Sequence, residues 1–452
     1  MAINLRRKAY DKLLKWKEES AGSSAILING ARRVGKSHLA QEFAEMEYKA
    51  HVLIDFSDDE NEIAGFFREG KWKSKDFLEY IEVASGKVLP ERDTVIIFDE
   101  VQLCPEARQM IKHLVSDGRY DYIETGSLLS IKENVKNMVI PSEEDDLDLY
   151  PLDFEEFLWA MGNETAIPYL KECLDGLKPV GDDIHRKMMG LFRKYMLVGG
   201  MPQAVIKYIE TESFEEVERV KRRILRTYRK DISKHAGTYK QRVNAVFDEI
   251  PAQLSKKEKK FMITSVDKDA RNREYEDAFM WLADAMMVNR CVNSTDPSVG
   301  LSMNMDLSTQ KLYMSDTGLL VTQCLDDEEL TGEDIYKSLL LGKIGINEGM
   351  FAENIVAQCF VSSGRHLLFY SRPAEKGGDV VRKRLEVDFL IRRNRAICPV
   401  EVKSSERLTH ASLDEFVRRF GKRVGQPYLL CIKDLHEKDG VVYLPLYMAA
   451  IL

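Results

Sequence analysis

No run of about eighteen uncharged apolar residues occurs in this chain, so no segment reads as a membrane span. The opening "MAINLRRKAYDKLLKWKEES" lacks the apolar core of a signal peptide; its charges and its Leu and Trp spacing suit a surface helix. Cysteine is sparse, seven in 452 residues, with no Cys-x-x-Cys pair, and the eight histidines form no cluster. That argues against a zinc site or a disulfide frame and for a reducing compartment, here the cytoplasm. An excess of basic charge is also lacking, the net charge being −8, so the chain is not globally a polyanion binder. Binding of nucleic acid would need local patches, and two exist: "VKRRILRTYRK" at 220–230 and the basic residues around 382–395. Either patch reads equally well as a solvated helix face or a basic strand edge.

What is present is ordinary globular composition, 44% hydrophobic and 31% charged. At roughly 150 residues per domain the length suggests about three domains.

Near the front, "SSAILINGARRVGKSHLAQEFA" reads as strand, tight loop and helix, with Ala25–Asn29 as the strand. Residues 30–37 spell Gly-x-x-x-x-Gly-Lys-Ser, a loop whose glycines let backbone N–H groups turn inward around phosphate oxygens. The following helix aims its positive dipole end at the same oxygens. The expected cradle is Gly30, Ala31, Arg32, Arg33, Val34, Gly35, Lys36, Ser37 and His38. Lys36 should reach the β- and γ-phosphates, and the Ser37 hydroxyl should ligate Mg²⁺. Further on, "DTVIIFDEVQ" places Asp99 and Glu100 at the end of a buried strand, Asp99 for the metal's water shell and Glu100 as general base. "YDYIETGS" ends another strand, where Thr125, in preference to Ser127, is the expected γ-phosphate sensor. "HVLIDFSD" at 51–58 adds a strand ending at Asp55. Strands alternating with helices predict a parallel sheet with ligand at its C-terminal edge. No Asn-Lys-x-Asp occurs to read guanine.

"INGARRVGKS", "IIFDEVQ", "TGS" and "YPLDFEEFL" together resemble the bacterial and archaeal AAA-type ATPases whose C-terminal half is the domain of unknown function DUF4143. The resemblance implies ATP and Mg²⁺ as ligands, and a nucleotide-binding domain, a helical segment, a winged helix and a C-terminal nuclease-like fold. Such proteins often carry a Gly-Arg pair after "TGS"; here residues 131–149 are acidic and hold no arginine.

In the middle, "FRKYMLVGGMPQAV" resembles the family's tyrosine, double-glycine and proline signature and reads locally as punctuation between two helices. Short helices and a hairpin over about 240–320 resemble a winged helix, which docks DNA or protein. Tyr275, Phe279, Leu282 and Met286 form a core stripe there at helical spacing. Asp316 should cap a helix after the strand "KLYM".

At the back, "RLEVDFLIRRNRAICPVEVKSS" reads as a hairpin. Alternation puts Glu386, Asp388 and Leu390 on one face and Val387, Phe389 and Ile391 on the other. Asp388, Glu401 and Lys403 then share a surface, where paired carboxylates call for a cation such as Mg²⁺. Lys403 would steady a water or a phosphate charge. Upstream, "NEGMFAENIVAQCF" is a helix with Glu353 off its apolar stripe. Glu353, Asp388, Glu401 and Lys403, in that order, resemble the PD-(D/E)XK nuclease superfamily. The first three are the expected metal ligands, and all four the nuclease set.

The expected architecture is α/β: a P-loop parallel-sheet ATPase domain (1–160), a helical and winged-helix middle (161–325), and a C-terminal α/β restriction-endonuclease-like domain (326–452). The expected function is a Mg²⁺-dependent ATPase whose nucleotide state controls the rest of the chain on DNA. The alternative is a nucleotide switch that binds a protein partner or its own copies, with an inert nuclease-like domain. No membrane partner is expected.

Overall fold

A computed structural model of the chain describes residues 3–58, 66–67, 74–126, 143–256, 258–266, 272–297, 300–325, 333–340, 348–377, 380–382, 384–393, 395–406 and 408–452. The chain divides into two compact units, residues 6–150 with 284–286, and residues 1–5, 151–283 and 287–452.

In the first unit, strands β1 (Ala25–Asn29), β2 (Ala50–Asp55), β3 (Thr94–Asp99), β4 (Asp121–Gly126) and β5 (Glu144–Asp148) form one sheet, ordered β2-β3-β4-β1-β5. All its pairings are parallel. β1, β3 and β4 are buried at every position, as strands covered by helices on both faces must be; β1 and β3 are nearly continuous apolar runs, whereas β4 also buries Asp121, Glu124 and Thr125. β5 buries only Leu147, and its acids suit a sheet edge. The helices Lys36–Glu47, Ser74–Ser85 and Pro105–Asp117 cover the sheet. Rings from Phe56, Phe67, Phe77 and Phe98 pack at centroid distances of 4.9 to 6.2 Å, an aromatic core on one face. In this order β4 lies between β1 and β3, so the loop after β1, Asp99 and Thr125 reach the same edge.

The second unit begins with helices, among them Asp182–Val198, Pro202–Thr211 and Phe214–His235. The double glycine is a packing device. Gly199 has φ +83°, and a Cβ on Gly318 would fall 2.6 Å from the Gly199 nitrogen. Asp316 caps the helix Thr317–Cys324 by accepting from Leu319 N–H (2.9 Å), and also accepts from Gly200 N–H at 2.6 Å. Helix Asn272–Asp284 buries Tyr275, Phe279 and Leu282, but it ends before Met286, which has φ +54°.

β6 (Val288–Ser294) and β7 (Met305–Met314) follow as a hairpin. It is not a free wing: β6 also pairs in parallel with β8 (Leu367–Arg372), far along the chain. β9 (Glu375–Gly377) and β10 (Val380–Arg382) make a two-stranded ribbon, and β11 (Leu385–Val387) returns to β8, giving the order β11-β8-β6-β7. The last sheet holds β12 (Phe389–Arg393), β13 (Ala396–Val402), β14 (Tyr428–Cys431), β15 (His436–Lys438) and β16 (Val441–Pro445), ordered β12-β13-β14-β16-β15 with mixed directions.

The expected hairpin exists as β12–β13, with Phe389 opposite Val400. The expected unbroken alternation across Asp388 does not. β11 and β12 belong to different sheets, and the chain passes from one to the other at Asp388. Val387 and Leu390 therefore enter one apolar core, whereas Phe389 packs on Tyr313 and Phe360.

Candidate functional site

The loop after β1 curls because two of its residues occupy left-handed backbone, Arg33 at φ +71° and Gly35 at φ +96°. Gly30 is required for a different reason: a Cβ there would lie 2.5 Å from the Leu149 carbonyl oxygen. Gly30, Ala31, Val34 and Lys36 are buried, Gly35 and Ser37 are half-buried, and Arg32, Arg33 and His38 are exposed on the rim. Arg7, unnoticed in the sequence, braces the loop by donating to the Val34 carbonyl at 3.1 Å and the Tyr150 carbonyl at 2.6 Å. Lys36 Nζ donates to the Gly30 and Ala31 carbonyls at 3.0 and 3.3 Å, so its ammonium already lies inside the curl.

Asp99 is the meeting point. Its Oδ1 accepts from Ser37 Oγ at 2.7 Å and from the Thr125 hydroxyl. Burial pushes its carboxyl above the ordinary range, against those two hydrogen bonds, and nearby Glu100 and Asp55 push it the same way. Glu100 sits in left-handed backbone, φ +53°, with its N–H donating to Thr125 Oγ1 at 3.3 Å and its carboxylate held by Gln102. The structure thus gathers Lys36, Ser37, Asp99, Glu100 and Thr125 at one sheet edge. Ser127 lies outside the described residues, as do 131–142 of the arginine-free stretch. Beneath this edge, Arg108 reaches Glu124 at 3.1 Å and Glu144 at 2.7 Å, a buried cluster with no sequence motif to announce it. Burial raises the Glu124 carboxyl well above its ordinary value, and Glu144 adds to the rise.

A hydroxyl and a carboxylate within hydrogen-bond reach, beside a glycine-curled loop, are oxygen donors of the type Mg²⁺ takes alongside phosphate. The residues present therefore fit that ion.

The back acids also meet, but in different company. Glu353 Oε2 accepts from Tyr313 OH at 3.1 Å, and its carboxylate is also paired with Lys259. Asp388 Oδ2 accepts from Val402 N–H at 2.9 Å. Glu401 pairs with Lys403 at 2.6 Å. Lys311, from β7, is fully buried with its ammonium 2.9 Å from Glu386, 3.6 Å from Asp388 and 3.8 Å from Glu353. Burial alone would lower the Lys311 value; the three carboxylates outweigh it and raise it. Burial and Glu353 push Asp388 up to about 7, against the pull of Lys311. Among the described residues, no group of three His, Cys, Asp or Glu side chains is arranged to hold a metal ion.

The basic stretch 220–230 is split: Lys221 is buried and Arg222 and Arg229 are half-buried, whereas Arg223, Arg226 and Lys230 are exposed. Lys221 is buried and donates to the Leu197 carbonyl at 2.8 Å, Arg222 binds Glu218 at 2.9 Å, and Arg229 binds Asp248 at 3.0 Å. Arg384 pairs with Glu258 and Glu386. Arg393 lies over the Tyr428 ring at 5.7 Å, and residues 383 and 394 are outside the described set. No helix among the described residues is long and apolar enough to cross a membrane.

A parallel five-stranded sheet, a glycine-curled loop leading into a helix, and a carboxylate two strands away define a P-loop ATPase domain of AAA type. Residues 22–158 match the family model described as an AAA domain. Residues 348–448 match the domain of unknown function DUF4143, and 189–329 match a second one, DUF8612. The chain thus carries an AAA domain at residues 22–158 and a DUF4143 domain at residues 348–448. No curated protein matches it. Among solved structures it is similar to the ORC1 protein of Aeropyrum pernix in complex with DNA, at 12% identity and TM-score 0.30, covering 72% of this chain and 94% of that one. It is similar also to RuvB of Thermotoga maritima, at 12% identity and TM-score 0.30, covering 63% and 90%. A third is the Pif1 helicase of Candida albicans, at 18% and 0.23, covering 41% and 48%.

Proposed function

We propose that this protein binds ATP with Mg²⁺ at the loop 30–38 and hydrolyses it, and that nucleotide state switches the remainder of the chain. The observation that carries this reading is the hydrogen-bonded set of Ser37, Asp99 and Thr125 beside the buried Lys36 ammonium. In this reading the loop amides and Lys36 hold the phosphates, and Ser37 and Asp99 would hold the metal. Glu100 takes the proton of the attacking water, and Thr125 orients Glu100 through its backbone N–H and senses the γ-phosphate. Mg²⁺, when bound, supplies neutralisation of phosphate charge. The three-part division at about 160 and 325 belongs to the same reading, with the family matches ending at 158 and 329 in support.

Two targets remain in the reading, DNA and protein. Lys221 and Arg222 pair inward, and acids at the surface neutralise Arg229 and Arg384, so only Arg223, Arg226 and Lys230 of the stretch 220–230 stay exposed as basic surface, which favours a protein partner. The test is ATP turnover of the full chain with Mg²⁺, with and without DNA, over a salt series. Turnover lost in Lys36→Ala supports the ATPase reading, and no saturable ATP binding overturns it. DNA affinity falling steeply with salt would return the target to DNA.

A further inference from the structure

We propose that Lys311 is the resident cation of the back carboxylate cluster, standing where the sequence pattern calls for a divalent metal, so that the native cluster takes up neither Mg²⁺ nor Mn²⁺. The inference is independent of the ATPase reading.

Position comes first. The Lys311 ammonium lies among Glu386, Asp388 and Glu353, at 2.9, 3.6 and 3.8 Å, so one charge faces three carboxylates. Two of those three, Glu353 and Asp388, are expected metal ligands. The ammonium cannot leave by turning a side-chain bond. Lys311 has no exposed surface, its strand is paired to β6 at Cys291, and the Phe369 ring closes over the ammonium at 4.9 Å.

Charge comes second. The remaining acids each have a cation of their own: Glu353 has Lys259, Glu401 has Lys403 at 2.6 Å, and Glu386 has Arg384. Glu353, Glu386, Asp388 and Glu401 are thus matched by Lys259, Lys311, Arg384 and Lys403. A divalent ion entering this group would meet a buried like charge within reach of Glu353 and Asp388, and its carboxylates would have to give up partners they already hold. The mismatch is in the donors and not only in space: Glu353 is engaged by Lys259 and the Tyr313 hydroxyl, Asp388 by the Val402 N–H and Glu401 Oε1 by Lys403. That leaves Glu401 Oε2 as the one oxygen of these three carboxylates that is buried without a hydrogen-bond partner, too few donors for a hard cation.

Chemistry comes third. An ammonium neutralises carboxylates, but it neither polarises a phosphoryl oxygen as a Lewis acid nor makes hydroxide from bound water. The cluster is then a fixed, charge-balanced joint between β7, β11, β13 and the helix Glu348–Ser362. Metal-assisted phosphodiester cleavage does not follow from it.

Mn²⁺ binding tests this directly, measured by electron paramagnetic resonance on the full-length chain without nucleotide. The native chain and Asp388→Asn should give the same Mn²⁺ titration, since Asp388 holds none. Lys311→Met should gain one bound Mn²⁺ per chain, and Lys311→Met combined with Asp388→Asn should lose it again. A native chain that binds Mn²⁺ through Asp388, seen as a site missing in Asp388→Asn, overturns the proposal. So does a folded Lys311→Met, verified by circular dichroism and a cooperative melt, that gains no Mn²⁺. Should Lys311→Met fail to fold, the native chain against Asp388→Asn decides the matter alone.

Discussion

Asp99 and Asp388 stand in similar places in the sequence, each an acid bordering an apolar strand, yet they are partnered in opposite ways. Asp99 is held by the neutral hydroxyls of Ser37 and Thr125, and the charges that shift its carboxyl are those of the acids Glu100 and Asp55. Asp388 faces the ammonium of Lys311 and the amide of Val402. In the first case the protein leaves negative charge for a ligand to balance; in the second it balances the charge itself. An acid at a strand end therefore says little about metal binding until the source of its counter-charge is known.

The sharpest way to separate the two sites is at Glu100. In Glu100→Gln, ATP turnover should fall by about 10²- to 10⁴-fold, the range for loss of a general base, while nucleotide affinity is kept. Steady-state phosphate release and equilibrium binding check this together, and unchanged turnover would remove Glu100 from the chemistry. The largest effect at the back should be on stability. Lys311→Met leaves buried carboxylates without their cation and should cost about 3–5 kcal/mol, read as a lower denaturant midpoint at unchanged slope. A loss below about 1 kcal/mol would mean that the cluster relaxes without the lysine, and the contrast between the sites would blur.

How much of this could be read in the chain follows the same division. The front site was legible because its parts are contiguous: Gly30 to Ser37 is one loop, and Asp99 and Glu100 close one strand. Thr125 was found for the same reason, since a parallel sheet brings strand ends to one edge. At the back, Glu353, Asp388, Glu401 and Lys403 were legible as an ordered set, and the structure brings them together. Their neutralisers were not. Lys311 lies in "STQKLYM", where a lysine in a strand reads as solvent-facing, and only the pairing of β6 with β8 encloses it. Lys221 misled similarly inside a basic run, although it is buried against the Leu197 carbonyl. The alternation argument failed at Asp388 because period-two reasoning assumes one sheet, and the strand changes sheets there. Long-range pairing of this kind has no local signature.

Lys36→Ala should have a smaller effect than either of those changes. Removing a charged hydrogen-bond donor to phosphate costs about 1.5–3 kcal/mol, or roughly 10- to 100-fold in ATP affinity. Isothermal titration with Mg²⁺ present measures it. An affinity within about twofold of native would mean that Lys36 stays with the Gly30 and Ala31 carbonyls and does not reach the nucleotide.

The smallest effect discriminates most finely, because its sign depends on which kind of site Asp99 occupies. Its carboxyl is raised above the ordinary value in the folded chain, mainly by burial. A group raised in this way contributes stability below its unfolded value, near 3.9, and loses that contribution as pH rises through the folded value. At neutral pH without nucleotide, the Asp99 charge therefore costs stability. Asp99→Asn should remove the cost, since the amide oxygen still accepts from Ser37 and Thr125, and should raise the denaturant midpoint slightly. The gain should vanish near pH 3, where the native carboxyl is protonated in both states. With Mg²⁺ and ATP the order should reverse. The native chain gains about 2.7 kcal/mol at a hundredfold excess over its Kd, and the variant, binding more weakly, gains less. A variant that is less stable than native without ligand at pH 7 would show that Asp99 already has its counter-charge from the protein. The front site would then be built as the back one is.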